Sequence, residues 1–228
     1  MSRVYVITGA SGVLGSSVAK AAAEAGARVA LIDFATSAPT EPTGPNVFFQ
    51  GGVDLTDAVS AGAAIDAAAD RFGGIDALLN IAGGFSWETH EGGDWETWHR
   101  LFLMNVQTCA NASRAAIPHL KRSGAGRIVN VGANAARKAG LGMGAYAASK
   151  AGVHSLTEAL SEELKGDGVT VNAVLPSIID TQTNRKDMPR ADFASWVTPA
   201  ELAAVMLFLA SEDASGVTGA LIPVTGRV

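Results

Sequence analysis

The sequence predicts an α/β fold: one doubly wound domain spanning residues 1–228, with a seven-stranded parallel sheet and helices on both of its faces. Three observations lead to this fold class. Short runs rich in β-branched residues alternate with Ala- and Leu-rich stretches whose apolar residues recur at helical spacing. Strands that alternate with helices need crossover connections, which make neighbouring strands parallel. Several strands are apolar almost throughout, as a sheet covered on both faces requires.

The predicted elements follow one another along the whole chain. Thr198 and Pro199 give the last helix an N-cap residue and a proline at its first position. The Pro- and Gly-rich stretch Ser37–Pro45 joins two adjacent strands, so we interpret it as a surface loop within one domain. The predicted strands are Val4–Ile7, Arg28–Ile32, Asn46–Gln50, Ile75–Ile81, Gly126–Val131, Val169–Leu175 and Ala220–Val224. The predicted helices are Val13–Ala25, Thr56–Phe72, Trp95–Lys121, Ala145–Lys165 and Pro199–Ala210.

Composition and charge exclude several classes of protein. With 48% hydrophobic and 17% charged residues, the 228-residue chain suits one domain with a large core. A net charge of −5 argues against a nucleic-acid partner, which requires a basic surface. The longest apolar stretch, Leu202 to Ala210, is far shorter than the ~20 residues that span a bilayer, and no secretory leader is visible. We therefore expect a cytoplasmic protein without a membrane partner.

The cysteine and histidine content argues against a metal site. Cys109 is the only cysteine, which excludes an internal disulfide and a Cys-based metal cluster. The histidines His90, His99, His119 and His154 lack the spacing of metal ligands, so we interpret them as surface or packing residues. We expect no bound metal.

A glycine-rich turn, Thr8-Gly9-Ala10-Ser11-Gly12-Val13-Leu14-Gly15, follows the first strand and opens the first helix. Its three glycines allow a tight turn, close approach of the backbone to a pyrophosphate and close packing of helix on strand. Exposed N–H groups and the positive end of the helix dipole then favour phosphate groups. In this context the turn predicts a Rossmann-type dinucleotide site.

Asp33 ends the second strand, 18 residues after Gly15. A carboxylate there accepts hydrogen bonds from the ribose hydroxyls of a dinucleotide and repels a 2′-phosphate. We therefore predict a preference for NAD(H), with NADP(H) not excluded. The alternative is that Asp33 is an ordinary carboxylate at the end of a strand.

The order of the motifs resembles the short-chain dehydrogenase/reductase family along essentially the whole chain. The matching segments are Gly52-Val53-Asp54-Leu55, Asn80-Ile81-Ala82-Gly83, Tyr146-Ala147-Ala148-Ser149-Lys150, Asn172-Ala173-Val174-Leu175-Pro176 and Thr218-Gly219. Any one of these is a weak signal, whereas five in the right order are a strong one. The resemblance implies further cofactor contacts from Asp54, Leu55, Asn80, Ala82, Gly83, Tyr146, Lys150, Pro176, Ile179 and Thr181.

Tyr146 and Lys150 are the candidate catalytic pair, since residues four apart on a helix point to the same side. An ammonium near the phenol, together with the charge of the oxidised nicotinamide, favours the phenolate and is expected to bring the Tyr146 pKa down from about 10. Tyr146 is then the general acid for reduction or the base for oxidation, and Lys150 also holds the nicotinamide ribose. The resemblance adds Asn105 as the support of a water relay to the lysine. The alternatives are a solvated Tyr/Lys pair and a helix-bending asparagine.

The fifth strand departs from the family pattern. The family ends this strand in Ser-Ser, with the second serine thirteen residues before the tyrosine, whereas this chain has Gly132-Ala133 there. Alanine cannot donate to a developing oxyanion, and losing one such donor lowers the rate of carbonyl chemistry by ~10²–10³. Either the substrate does not need that donor or the enzyme is weakened.

Within the family the chain most resembles the dihydropteridine reductase-like branch, which also has no serine at that position. The similar segments are Gly12 to Gly15, Gly83-Gly84-Phe85, Gly140 to Gly144 and Val174 to Trp196. This branch uses NADH to reduce a quinonoid dihydropterin, whose C=N acceptor builds less charge on one oxygen than a ketone does. Asn105, by contrast, looks more like the main family. The aromatic residues Phe85, Trp87 and Trp196 line a slot for a flat ring in this interpretation, and pack a lid in the alternative one.

Two long segments, Gly84–Gly93 and Ile178–Val197, are predicted lids over the substrate. Within and beside them Arg137, Asn184 and Arg185 either contact a polar substrate or carry solvated charge. The resemblance also implies a homodimer or homotetramer formed through Trp95–Lys121 and Ala145–Lys165.

Three functions are therefore weighed. The leading hypothesis is an NADH-dependent reductase of pterin-like or quinonoid compounds. The second is an oxidoreductase of carbonyls and secondary alcohols, with Asn134 or Ser177 replacing the serine. The third is a cofactor-binding protein without turnover. The sequence leaves the physiological substrate and the reaction direction open.

Overall fold

Seven parallel strands form one sheet in the computed structural model, which describes residues 2–228. The order across the sheet is β3-β2-β1-β4-β5-β6-β7, and every neighbouring pair is parallel. The strands are β1 Val4–Thr8, β2 Arg28–Ile32, β3 Val47–Gln50, β4 Ala77–Asn80, β5 Arg127–Val131, β6 Thr170–Pro176 and β7 Leu221–Val224. The predicted fold class and all seven strands are confirmed, with ends shifted by up to two residues.

Helices cover both faces of the sheet, as its apolar strands require. On one face α1 and α7 bury residues such as Val18 and Met206, and on the other α2, α4 and α5 bury residues such as Ile65 and Leu120. The helices are α1 Val13–Glu24, α2 Ala58–Phe72, α3 Trp95–Phe102, α4 Thr108–Ser123, α5 Gly144–Leu164, α6 Gln182–Asp187 and α7 Pro199–Ala210. No helix within residues 2–228 is both long enough and apolar enough to span a membrane.

The predicted helix Trp95–Lys121 is interrupted by a π-helical turn, Leu103–Gln107, between α3 and α4. A π turn widens the helix locally and is frequent at functional sites. Here it contains Asn105, which is only 1% exposed. Periodicity did not predict this turn, because one extra residue within a helical pattern hardly changes the spacing of its apolar residues.

The segments after β5, α5 and β6 contain short helices that the sequence pattern did not predict. These are α6 itself and the 3-10 turns Asn134–Ala136, Lys165–Asp167 and Phe193–Ser195. In α7 the predicted start is confirmed, since Thr198 and Glu201 form a reciprocal capping box and Pro199 follows the cap.

The strand order reverses beside β1, which pairs with β2 on one side and with β4 on the other. The crevice outside the carboxyl ends of the strands at such a reversal is where open α/β sheets bind ligands. The Thr8 hydroxyl joins the end of β1 to the segment after β4, because it accepts hydrogen bonds from the backbone N–H groups of Ile81 and Ala82. The fold thus places the ends of β1 and β4 at one site.

Candidate active site

A cavity of about 720 Å³ lies at the carboxyl ends of the strands, where the strand order reverses. Residues from each predicted motif before Pro176 line it, so the structure brings together segments that are far apart in the chain. Of the predicted site residues, the lining includes Gly9, Gly12, Val13, Leu14, Gly15, Asp33, Asp54, Leu55, Ala82, Gly83, Tyr146, Lys150 and Ile179. The sequence reasoning had not assigned a role to Phe34, Val53, Thr56, Ile81, Met104, Thr108 or Val131, which also line the cavity.

The glycine-rich turn packs so tightly that side chains do not fit. A Cβ atom on Gly15 would lie 2.1 Å from the carbonyl oxygen of Gly9, and one on Gly9 would lie 2.8 Å from Ala82. Gly9 also has φ 64°, a conformation that favours glycine. No side chain caps the N-terminus of α1, and its first turn has no acidic residue. These features fit a pyrophosphate, which needs close backbone approach and free N–H groups.

Asp33 is joined to the glycine-rich turn. Its carboxylate accepts hydrogen bonds from the backbone N–H groups of Ser11 and Ala35, each at 2.8 Å. The next side chain, Phe34, is 74% exposed at the cavity. A partly exposed carboxylate beside an exposed aromatic ring offers a hydrogen-bond acceptor and an apolar surface at the same end of the cavity.

Tyr146 and Lys150 line the opposite end of the cavity. Burial raises the pKa of Tyr146 to about 12, and burial lowers the pKa of Lys150 to about 8. In the protein without its cofactor the tyrosine pKa is therefore raised and not lowered. The reason is that desolvation acts on the phenol and the Lys150 ammonium donates to the carbonyl of Val131, at 2.7 Å.

The buried side chain of Asn105 connects the π turn to two other segments of the site, through hydrogen bonds to Gly84 and to Ser149 of α5. Its amide donates to the carbonyl of Gly84 and to the hydroxyl of Ser149, and its oxygen accepts from the N–H of Gly84 at 2.9 Å. A Cβ atom on Gly83 would lie 2.5 Å from this oxygen and 3.4 Å from the Lys150 Nζ. Asn105 thus holds the start of the Gly84–Gly93 segment against α5.

Ala133 is 3% exposed, and its backbone N–H is hydrogen-bonded within the protein. This N–H donates to Nε2 of His154 at 3.3 Å, so it is already engaged by a side chain of α5. Of the two proposed replacements for the serine, Ser177 donates its hydroxyl to the carbonyl of Thr225, and Asn134 lies in the 3-10 turn after Ala133. The sequence reasoning had treated His154 only as a surface or packing residue.

Several predicted residues lie outside the cavity lining. The Asn80 side chain is buried and donates to Ser113 and Asn130, and Thr181 caps α6 by accepting from the Asn184 N–H. Ser11 and Pro176 are also absent from the lining, although Ser11 bonds to Asp33 through its N–H.

The predicted aromatic slot is only partly present. Phe85 meets Tyr146 edge to face, with ring centroids 4.9 Å apart, and is 54% exposed. Trp87 packs over Gly142, where a Cβ atom would lie 2.2 Å from its ring, and Trp196 is 3% exposed against Phe193. The slot interpretation is therefore wrong for Trp196, because its ring is buried in the lid.

Among the charged residues of the Ile178–Val197 segment, Asp180 and Arg185 form an ion pair. Arg185 forms two hydrogen bonds with the carboxylate of Asp180 and lies over the ring of Phe193, and the Asn184 amide donates to the carbonyl of Ile179. Within residues 2–228, no group of three or more His, Cys, Asp or Glu side chains could hold a metal ion.

Comparison with known proteins gives the class of the chain. The model of the short chain dehydrogenase family matches residues 3–192. The chain is 33% identical to meso-2,3-butanediol dehydrogenase from Serratia marcescens, over 99% of this chain and 94% of that one. It is 36% identical to galactitol 2-dehydrogenase (L-tagatose-forming) from Cereibacter sphaeroides, over 96% and 92% of the two chains.

A solved structure supports the same conclusion. Ligand-free aldohexose dehydrogenase from Thermoplasma acidophilum superposes with a TM-score of 0.89 at 28% identity, covering 99% of this chain and 93% of that one. The chain belongs to the short-chain dehydrogenase family and is an NAD(P)-dependent oxidoreductase.

Proposed function

We propose that this protein is an NADH-dependent reductase whose acceptor is a flat, electron-poor compound of the pterin-like or quinonoid type, with Tyr146 as the general acid. The observation that carries the proposal is at the end of β5. Ala133 has no hydroxyl, and its backbone N–H donates to His154. Neither the side chain nor the backbone N–H of Ala133 is therefore available as a donor to a developing oxyanion.

The cofactor preference is supported by Asp33, whose carboxylate lies at the glycine-rich end of the cavity. A negative charge there repels the 2′-phosphate of NADP(H), while it accepts hydrogen bonds from ribose hydroxyls. When bound, the dinucleotide supplies the hydride. The residues Gly9, Gly12 and Gly15 hold its pyrophosphate through backbone N–H groups in this proposal.

The proton is supplied by Tyr146. Since burial raises the pKa of this phenol to about 12, it is protonated at neutral pH and ready to donate. Lys150 is charged below its pKa of about 8, and its ammonium stabilises the phenolate that forms. Asn105 keeps the Gly84 backbone in place beside them and acts as a positioning residue.

The class of hydride acceptor is inferred from the hydrogen-bond donors that the site offers to the reacting oxygen. A ketone that receives hydride concentrates negative charge on one oxygen, and a missing donor there lowers the rate by ~10²–10³. A quinonoid or C=N acceptor spreads this charge over a conjugated system and needs only the proton from Tyr146. The half-exposed ring of Phe85, in contact with Tyr146, provides an apolar wall for a flat substrate.

A second candidate function, oxidation of secondary alcohols with NAD⁺, is favoured by the activities for which the relatives are named. Meso-2,3-butanediol and galactitol dehydrogenases both act on hydroxyl groups of small polyols or diols. In this chain the reaction requires another donor, and Asn134, in the 3-10 turn directly after Ala133, is the candidate. Turnover of meso-2,3-butanediol with NAD⁺ tests this candidate.

The decisive assay follows NADH oxidation by absorbance, with quinonoid dihydropterin as acceptor. We expect turnover by the wild-type protein and a fall of about 10²–10⁴-fold in Tyr146→Phe, because general acid catalysis contributes about that much. Affinity for NADH, measured by fluorescence titration, is expected to stay within a few-fold in this variant. Equal turnover by both proteins would exclude Tyr146 as the acid. NADH binding without turnover of the pterin, together with rapid oxidation of meso-2,3-butanediol, would establish the second candidate.

The assembly remains part of the proposal. We infer a homodimer or homotetramer formed through the faces of α3, α4 and α5. Phe102 supports it, because this apolar side chain at the end of α3 is 51% exposed in the single chain. Light scattering at several protein concentrations tests it.

A further inference from the structure

His154 lies one helical turn after Lys150 on α5 and is 8% exposed. Its Nε2 accepts the hydrogen bond from the Ala133 N–H. A ring nitrogen that accepts carries no proton, so the contact requires a neutral imidazole with its proton on Nδ1. The proposed reaction gives this side chain no proton to transfer.

Lys150 and His154 together hold the end of β5 from two consecutive turns of α5. The Lys150 Nζ donates to the carbonyl of Val131 at 2.7 Å, and His154 accepts from the N–H two residues later. Between these two contacts lies Gly132, whose Cβ atom, if present, would be 2.5 Å from His154 Nε2. The glycine at 132 therefore leaves the space that the imidazole occupies. Gly132, Ala133 and His154 form one packed unit.

We propose that His154 is a positioning residue: its neutral imidazole fixes the segment Val131–Ala133, and thereby the carbonyl that orients Lys150, and its protonation releases the segment and lowers turnover. This inference rests on the proposed function, since the segment forms a wall of the same site. It goes beyond that function by assigning the acidic limb of the pH profile to a residue that touches neither substrate nor cofactor.

The charges around His154 determine where this limb falls. The charged groups that act on the imidazole are Lys150 and Glu158 of α5 and Arg137 of the segment after β5. Leu175 of β6, which borders Gly132 as His154 does, is apolar. Burial first, and then the positive charge of Lys150, hold the pKa of His154 below its usual 6.5. The unfolded chain takes up the proton near 6.5, and the folded protein takes it up only at a lower pH. The contact is therefore fully present above pH 6.5 and is lost as the pH falls through the lower, folded-state value.

The first test reads the imidazole directly and needs no turnover. Nitrogen-15 NMR of the four histidines at pH 7, assigned with His154→Gln, is expected to show Nδ1 protonated and Nε2 unprotonated in His154. Its titration is expected to lie below the usual imidazole value of 6.5. A proton on Nε2, or a charged imidazole at pH 7, would overturn the proposal even if no acceptor of the enzyme were known.

The second test follows kcat against pH in wild type, His154→Gln and His154→Leu, with His99→Gln as the matched control. Glutamine can accept the Ala133 hydrogen bond through its side-chain oxygen but does not titrate, so this variant should keep kcat at pH 7 and lack the loss below pH 6.5. Leucine leaves the N–H without a partner, and kcat should fall about ten-fold at unchanged KM for NADH. An acidic limb that persists in His154→Gln would overturn the proposal. Absence of turnover in all four proteins would instead contradict the proposed function. The protonation state of His154 would then still be decided by the NMR measurement, which needs no turnover.

Discussion

The two ends of the cavity are built in opposite ways. At the glycine-rich end, backbone atoms of Gly9 and Gly15 are in direct contact, and the polar side chain beside them, Asp33, is partly exposed. At the tyrosine end, Lys150 is buried and its pKa and that of Tyr146 are shifted by desolvation. The first end depends on chain geometry that a glycine spacing encodes. The second depends on burial and on contacts between segments far apart in sequence.

The largest effect is expected from Lys150→Met, which removes the charge but keeps the length of the side chain. Turnover should fall about 10²–10⁴-fold, because Tyr146 loses the ammonium that stabilises its phenolate. The same lysine also makes the stability of the wild-type protein depend on pH, and this dependence should be absent in Lys150→Met. The folded protein releases the Lys150 proton near pH 8, and the unfolded chain keeps it to about 10.5, so wild type gains stability between these values.

Urea unfolding at pH 7.5 and pH 10 measures this difference. The wild-type free energy of unfolding should rise relative to that of Lys150→Met, by on the order of 2 kcal/mol. If the free energy of unfolding depended on pH equally in the two proteins, Lys150 would not be desolvated. The two ends of the cavity would then not differ in the way described.

At the glycine-rich end we expect the next largest effect, from Gly15→Ala. The added methyl would lie 2.1 Å from the Gly9 carbonyl oxygen, so the turn must shift, at a cost of about 1–3 kcal/mol in stability. NADH affinity should fall with it. The matched control is Gly62→Ala in α2, where nothing lies within 4 Å and alanine should add about 1 kcal/mol. Destabilisation of similar size in both variants would show that space at Gly15 is not the reason.

The smallest of these effects is expected from Asp33→Ala, which acts on cofactor choice and not on chemistry. Removing the carboxylate should lower the ratio of NADH to NADPH affinity by about ten-fold, since the repulsion of a 2′-phosphate disappears. Fluorescence titration with both dinucleotides measures this ratio. An unchanged ratio, with kcat also unchanged, would reduce Asp33 to a structural partner of the Ser11 and Ala35 N–H groups.

The sequence predicted what depends on local patterns. The parallel sheet with helices on both faces could be inferred because the alternation of strands and helices restricts the topology, and the glycine-rich turn could be placed because its spacing reflects a backbone contact. The contact between Ala133 and His154, 21 residues apart, leaves no such periodic signal. For the same reason the sequence does not show the desolvation that raises the Tyr146 pKa, since it depends on how much water the folded site excludes. A signal for His154 was present in the sequence: a glycine stands at position 132, where the family has a serine, and a histidine follows the tyrosine by eight residues.

The measurement that tests the central claim most directly compares two acceptors in wild type and Ala133→Ser. The variant restores the serine that the family carries at the end of β5, and NADH oxidation is followed with a secondary ketone and with quinonoid dihydropterin. We predict that ketone reduction rises by ~10²–10³ in the variant, while reduction of the quinonoid acceptor changes little. Rapid ketone reduction by the wild type, with no gain from the serine, would contradict the account, because another donor would then already serve the oxyanion.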